Sequence, residues 1–164
     1  MGLFDSFRKK KKSEKEVSNK ETGNEQLDDF TLDMIKSADI FVERSADRYN
    51  GLDFSVESLE VIDNVLEDAS DFYDEMNDDQ RNNIINSVGS YVFEVARKTF
   101  GGKYFWYDKL NQPILVTGQP EFEVSILAFD KVKMRIESGK EDNIPFYFAG
   151  YVERVKNKQS GMIV

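Results

Sequence analysis

The chain has 164 residues, carries 31 acidic and 22 basic side chains for a formal net charge of −9, and contains neither cysteine nor histidine. Its composition therefore excludes thiolate nucleophiles, disulfides, iron–sulfur clusters, Cys-based zinc sites and imidazole-based catalytic triads. An enzymatic mechanism in this chain would have to use carboxylates, Lys, Tyr, Ser or an oxygen-ligated cation.

The amino-terminal residues differ in composition from the rest of the chain. Residues 8–26 hold one valine and no aromatic residue among many charged side chains, which is typical of a disordered linker. An apolar wedge and a basic run come together at the very start, formed by Leu3, Phe4 and Phe7 and by Arg8, Lys9, Lys10, Lys11 and Lys12. This combination favours weak, reversible attachment to an anionic membrane surface. The alternative is a solubilising tail whose apolar start packs on its own domain.

A long amphipathic helix is predicted over residues 28–49. Apolar side chains recur there at spacings of three and four residues and share one face, with acidic side chains opposite. The apolar face is formed by Leu27, Phe30, Met34, Ala38, Phe41, Val42 and Tyr49. Asn50 and Gly51 end the helix, because glycine readily takes the left-handed conformation that a helix C-terminus needs.

Two further helices are predicted before the pattern changes. The second covers residues 56–75, with Ser55 as its N-cap. The third is capped within residues 77–79, carries a wide apolar stripe and stops at the glycine pair 101–102. Gly89 lies on that stripe, where we expect it to allow the close approach of another helix.

The spacing of apolar residues then changes to a period of two, which predicts strands. We expect strands at Lys103–Tyr107, Ile114–Thr117 and Glu121–Leu127, joined by turns too short for helical crossovers. The third shows the clearest alternation of apolar and polar side chains.

Two short helices are predicted after the strands. The first is capped by Asp130 and ends at Gly139, and the second is capped by Asp142 or Asn143. Pro145 then falls in a first helical turn, where proline is tolerated.

The predicted fold class is α+β, with three helices, a three-stranded antiparallel meander and two short helices. We expect a basic, largely disordered leader at residues 1–26, a single domain at 27–156 and a frayed end at 157–164. The chain lacks an apolar run of the roughly 18 residues that a membrane span needs. Together with the missing signal peptide, this favours a cytoplasmic protein.

Acidic side chains dominate residues 21–80, which hold 19 acidic residues and 3 basic ones. Two stretches, residues 47–60 and 68–81, are rich in acidic side chains, but neither has the ligand spacing of an EF-hand loop. No metal ligand is therefore predicted. One interpretation is a solvated helix face; the other is a surface that recognises a basic partner protein. For the second we name Asp63, Glu67, Asp71 and Asp74. The negative charge disfavours nucleic-acid binding.

An aromatic cluster occupies the first predicted strand, Tyr104 to Tyr107. Strand alternation places Tyr104 and Trp106 on one sheet face and Phe105 and Tyr107 on the other. One face must cover the helices, and the other is a candidate exposed patch. We name Tyr104 and Trp106 as the candidate patch, for a protein partner or a stacked ligand.

Carboxylate chemistry has one weak candidate, the pair Glu121 and Glu123 on one strand face. Alternating glutamates are also what any solvent-facing strand shows, and the chain lacks the glycine-rich patterns of phosphate-binding loops. We therefore predict no catalytic residue, no cofactor and no metal.

The start, MGLFDSFRKKKK, resembles the leaders of many small bacterial cytoplasmic proteins. The body, LDFSVESLEVID followed by a helix ended by two glycines and an aromatic strand, resembles bacterial proteins of unknown function over residues 50–148. The resemblance implies the order of the fold blocks and carries over no catalytic residue. We expect an acidic, non-enzymatic interaction protein, tethered weakly to the inner membrane face. The alternatives are an immunity- or antitoxin-like inhibitor of a basic partner, and a small-molecule binder or carboxylate-based enzyme that uses the aromatic sheet face.

Overall fold

The computed structural model describes residues 27–164 and confirms the α+β class: these residues form five α-helices and a four-stranded mixed sheet. In chain order the elements are α1 (Asp29–Ser45), α2 (Leu59–Ser70), α3 (Asp78–Phe100), β1 (Lys103–Tyr107), β2 (Gln112–Thr117), β3 (Val124–Ile126), α4 (Ala128–Ser138), α5 (Ile144–Lys156) and β4 (Gly161–Ile163). Short 3-10 turns cover Tyr73–Glu75 and Lys140–Asp142. The helices cover one face of the sheet.

Helices α1 and α3 begin at side-chain caps, and of the two caps that the sequence predicts, the one within residues 77–79 is confirmed whereas Ser55 is not the N-cap of α2. The Asp28 carboxylate accepts the Thr31 amide at 2.7 Å at the start of α1. Asn77 and Gln80 form a reciprocal capping box at the start of α3. The predicted second helix was too long, because its first residues form turns in which the Ser55 hydroxyl accepts the Ser58 amide. The helix proper begins at Leu59.

The sheet has the strand order β1-β2-β3-β4. Strands β1, β2 and β3 form the predicted antiparallel meander, with Tyr104 opposite Leu115 and Val116 opposite Ser125. Strand β4 adds to the meander in parallel, with Met162 opposite Ser125. Helices α4 and α5 lie in the connection from β3 to β4, which gives the long crossover that a parallel pair requires.

The fourth strand corrects the expectation that residues 157–164 fray. The free edge of β3 supplies backbone partners, and the Gly161 amide donates to the Glu123 carbonyl at 2.9 Å. The Tyr147 hydroxyl, on α5, donates to the Ile163 carbonyl at 3.1 Å. Because the strand has only three residues, its sequence shows no alternation that would predict it.

Strand β3 is also shorter than predicted. The amides of Glu121 and Phe122 both turn back to the Gly118 carbonyl, so the first predicted residues belong to a turn. Asp130 is not the N-cap of α4, since its amide lies inside that helix and donates to the Gln112 side chain at 3.3 Å. Asn143 caps α5 as expected, by accepting the Phe146 amide at 2.9 Å.

The core lies between α3 and the elements around it. Helix α3 is almost wholly buried from Ile85 to Ala96, and it packs on α1 and α4. Gly89 is the point of closest approach, and a Cβ placed there would overlap the Phe129 ring of α4. The expectation that Gly89 permits close helix packing is confirmed.

This contact predicts opposite effects for two Gly→Ala substitutions. Gly89→Ala should lower the free energy of unfolding by about 1–3 kcal/mol, because the added methyl overfills a packed interface. Gly150→Ala is the matched control, since a Cβ at that helical position meets open space. It should leave the free energy of unfolding unchanged or raise it by up to about 1 kcal/mol, because alanine favours helix. Urea denaturation of both variants measures the difference, and equal stability of the two would contradict the packing.

Candidate interaction surface

A buried arginine joins the helices that frame the candidate surface. The Arg135 side chain, on α4, is 1 % exposed. Its guanidinium donates to both carboxylate oxygens of Asp63 on α2, from Nε and Nη2, each at 2.9 Å. Nη2 also donates to Glu67 Oε2 at 2.8 Å. The paired donors match the planar carboxylate, which is the strongest geometry for such an ion pair.

Helix α5 is attached to the same carboxylate. The amide of Ile144, the first residue of α5, donates to Asp63 Oδ1 at 3.0 Å. Three helices therefore meet at one buried ion pair, with Lys140 lying 3.6 Å from the outer oxygen of Glu67. Within the described residues, Arg135 Nη1 is buried without a hydrogen-bond partner.

The ionisation of Asp63 follows from these contacts. Burial alone would raise its pKa, but hydrogen bonds from the Arg135 guanidinium and the Ile144 amide outweigh burial and hold the pKa below its usual value. A lowered folded-state pKa contributes stability above the unfolded value of about 3.9, and that stability is lost as the pH falls through the folded-state pKa.

The predicted acidic set divides into two pairs. Asp63 is buried and Glu67 is half-exposed, and both bind Arg135, so they form part of the scaffold and are not an open anionic patch. Asp71 and Asp74 are exposed at the end of α2 and in the turn that follows. At the opposite end of α2, the exposed acids Glu57 and Glu60 lie just before and just after its first residue and extend the negative surface.

An apolar groove lies beside the acidic start of α2. It has a volume of about 380 Å³, runs between Val56 and helix α5, and is lined mainly by apolar atoms. Ala149 and Val152 form its α5 wall, with Glu153, Lys156 and Asn157 towards the end of the helix. Phe146 lies one turn before Ala149 on the same face of α5 and is 81 % exposed. We call this groove, with Phe146, the α2–α5 groove.

The aromatic strand presents the opposite side chains from those named in the sequence analysis. Tyr104 and Trp106 are buried against the helices, whereas Phe105 is 44 % exposed. The Tyr104 hydroxyl donates to Glu94 Oε1 at 2.7 Å, and Arg97 binds the same carboxylate. Burial and the nearby Glu94 carboxylate hold the pKa of Tyr104 well above its usual value. This pair of aromatic side chains therefore belongs to the core and is not an exposed patch.

The outer face of the sheet forms a second groove, of about 640 Å³, near the β3 and β4 edge. Val116, Phe122 and Met162 line it, and Glu121 and Glu123 lie at its rim. Glu121 pairs with Lys158 at 2.8 Å, and Glu123 accepts the Gln119 side-chain amide at 2.9 Å. The two glutamates thus reach a concave surface, each with a partner. We call it the outer sheet groove.

The basic tail named in the sequence analysis, Leu3 to Lys12, lies outside the described residues. Over residues 27–164, none of the helices is both long and apolar enough to cross a membrane. The same residues contain no cluster of three acidic side chains arranged to hold a metal ion.

Sequence reasoning missed Arg135, Phe146 and Met162. A signal for Arg135 existed, because it lies three residues after Val132 on the apolar side of α4, and Asp63 lies four after Leu59 on the apolar side of α2. Charged residues in apolar stripes on two helices indicate a buried pair. No family model, curated protein or solved structure matches this chain.

Proposed function

We propose that this chain is a non-enzymatic protein-interaction domain that binds a partner with a basic surface through the α2–α5 groove. The observation that carries the proposal is an apolar groove beside a strongly acidic helix start. Val56, Ala149 and Val152 supply the apolar centre. Glu57 follows Val56 directly in the chain, and Glu60 lies one helical turn further on. An apolar centre with a charged rim is the usual anatomy of a protein interface.

The two parts of the surface have different roles in the proposed complex. Exposed Phe146 is an aromatic anchor of the kind that dominates interface energetics. The acidic excess of residues 27–80, 17 acids against 3 bases, steers a basic partner and makes association sensitive to salt. Arg135 and Asp63 fix the relative positions of α2 and α5, so the groove exists before the partner arrives and binding needs little rearrangement.

An immunity- or antitoxin-like inhibitor is a specific form of the same proposal, in which the acidic surface covers a basic toxin. The second candidate is a small-molecule binder at the outer sheet groove. The concave surface there, with Glu121 and Glu123 at its rim, supports it, because ligand sites are concave and combine apolar walls with a few polar groups.

We further propose that the protein works in the cytoplasm and associates weakly with the inner membrane face. The support is the sequence of residues 3–12, in which three apolar side chains precede five basic ones. Basic residues near an anionic surface contribute about 1 kcal/mol each, and the apolar side chains add to this once they are inserted. Either part alone gives only marginal attachment.

Blocking the groove tests the partner proposal. The full chain and an Ala149→Arg variant serve as baits in a lysate of the source cells, and the captured proteins are identified by mass spectrometry at low and high salt. At low salt the wild type should retain a basic protein. The Ala149→Arg bait should capture at least tenfold less of that protein, because the long cationic side chain fills the groove and repels the partner. Salt near 1 M should release it, since the Debye length falls to about 3 Å.

The matched control is Ala46→Arg, which makes the same change at an exposed position at the end of α1. It should retain the partner as the wild type does. Loss in both variants would point to charge alone, and retention in both would overturn the groove as the binding site.

Vesicle co-sedimentation tests the membrane proposal. The full chain should sediment with anionic vesicles at low salt and remain in solution with neutral ones. Replacing Lys9 to Lys12 with Gln should abolish sedimentation, and Phe4→Ser with Phe7→Ser should nearly do so, because the wedge and the charges act together. If the wild type stays in the supernatant with anionic lipid at low salt, residues 3–12 are not a tether.

A further inference from the structure

The outer sheet groove has the chemistry of a docking site for an apolar segment that carries positive charge. Val116 of β2 and Met162 of β4 lie in one row across the sheet, on either side of Ser125 of β3 and on the solvent side. Phe122 forms a wall, and its ring packs so closely on Gly118 that a Cβ there would overlap it. The rim carries Glu121 and Glu123. The groove therefore combines apolar walls with carboxylates.

The described part of the chain begins beside this sheet. The ring of Phe30, in the first turn of α1, packs edge-on against Tyr104 of β1, with centroids 5.8 Å apart. Leu27, where the described residues begin, lies three residues before Phe30 and therefore close to β1, on the face of the sheet that the helices cover. Adjacent strands lie about 4.8 Å apart, which places β4 about 14 Å from β1, and a segment that precedes Leu27 reaches the outer sheet groove by passing round an edge of the sheet.

The segment before Leu27 is long enough to reach the groove. Residues 13–26 span up to about 46 Å when extended. A domain the size of residues 27–164 has a radius of gyration of about 14 Å. A covalent link of this length holds residues 3–12 at an effective concentration in the millimolar range, so a contact that is weak between separate molecules suffices within one chain.

We propose that residues 3–12 dock in the outer sheet groove of the same chain. Leu3, Phe4 and Phe7 lie on the apolar walls, and the basic run that begins at Arg8 lies along the acidic rim. Glu121 already pairs with Lys158, but both side chains are exposed, so exchanging this partner for a tail lysine costs little. Glu123, whose carboxylate accepts a neutral amide from Gln119, gains an ionic partner.

If residues 3–12 dock in this way, the groove and a lipid surface compete for them. The same three apolar side chains bury either in the groove or in a lipid surface, but not in both. The docking site lies on the sheet, whereas the proposed partner groove lies between α2 and α5. Tail docking and partner binding therefore fail or succeed separately.

The lack of cysteine makes the test direct, because Ser13→Cys gives a single site for a nitroxide label without changing residues 3–12. The experiment records amide signals of the ¹⁵N-labelled full chain with the nitroxide active and then reduced. The amides of Val116, Ser125 and Met162 should lose more than half of their intensity, and those near Glu60 on α2 should lose little. The loss should persist when the labelled chain is diluted into unlabelled chain, since docking is intramolecular.

A paired substitution makes the result specific. Met162→Lys places a positive charge in the groove and should restore the sheet signals at least twofold. Met134→Lys makes the same change at an exposed position on α4 and should leave the attenuation unchanged. The amide spectrum itself reports that both variants fold. The proposal would be overturned by attenuation that is uniform or that centres on Val56 and Ala149. It would also be overturned if the attenuation disappeared on dilution or survived Met162→Lys.

Discussion

The arrangement of the helices depends on one buried ion pair. Taking a guanidinium out of water costs several kcal/mol, so Arg135 is tolerated in the interior only because Asp63 and Glu67 neutralise it and accept its hydrogen bonds. Asp63 is shared with the first amide of α5, which makes a single carboxylate the junction of α2, α4 and α5. Breaking the pair leaves an uncompensated charge among packed side chains, so the three helices keep their relative positions.

The two grooves lie on different sides of the domain, and both depend on this packing. On the helical side, the junction fixes α5 against α2 and leaves Val56, Ala149 and Phe146 at the surface beside acidic side chains. On the sheet side, α5 holds β4 in place through the Tyr147 hydroxyl, and β4 contributes Met162 to the outer sheet groove. The helix that the ion pair positions therefore shapes both candidate binding surfaces.

Elements with a long periodic pattern could be predicted from the sequence, whereas short elements and surface assignments could not. Helix α3 was predicted with its cap, its end and the role of Gly89, because apolar residues recur at helical spacing from Ile84 to Phe100. Strand β4 was missed because three residues show no period and their partner is β3, about 37 residues earlier. The alternation of side chains along β1 placed Tyr104 and Phe105 on opposite faces of the sheet, but it did not reveal which face meets the helices. The prediction that Asp63 belongs to an exposed acidic surface was wrong, because its partner, Arg135, lies 72 residues away in the chain.

The most direct test of the central ion pair is a double-mutant cycle on the free energy of unfolding, measured by urea denaturation at pH 7. Asp63→Leu and Arg135→Met should each lower it by about 3–5 kcal/mol, since the first leaves the buried Arg135 with only the half-exposed Glu67 and the second leaves the buried Asp63 without its guanidinium. The double variant should lose much less than the sum of the two, because it removes both charges together. The coupling should shrink below about pH 4, where the lowered pKa of Asp63 in the folded state is approached. Single losses below about 1 kcal/mol, or strict additivity, would contradict the role assigned to Arg135.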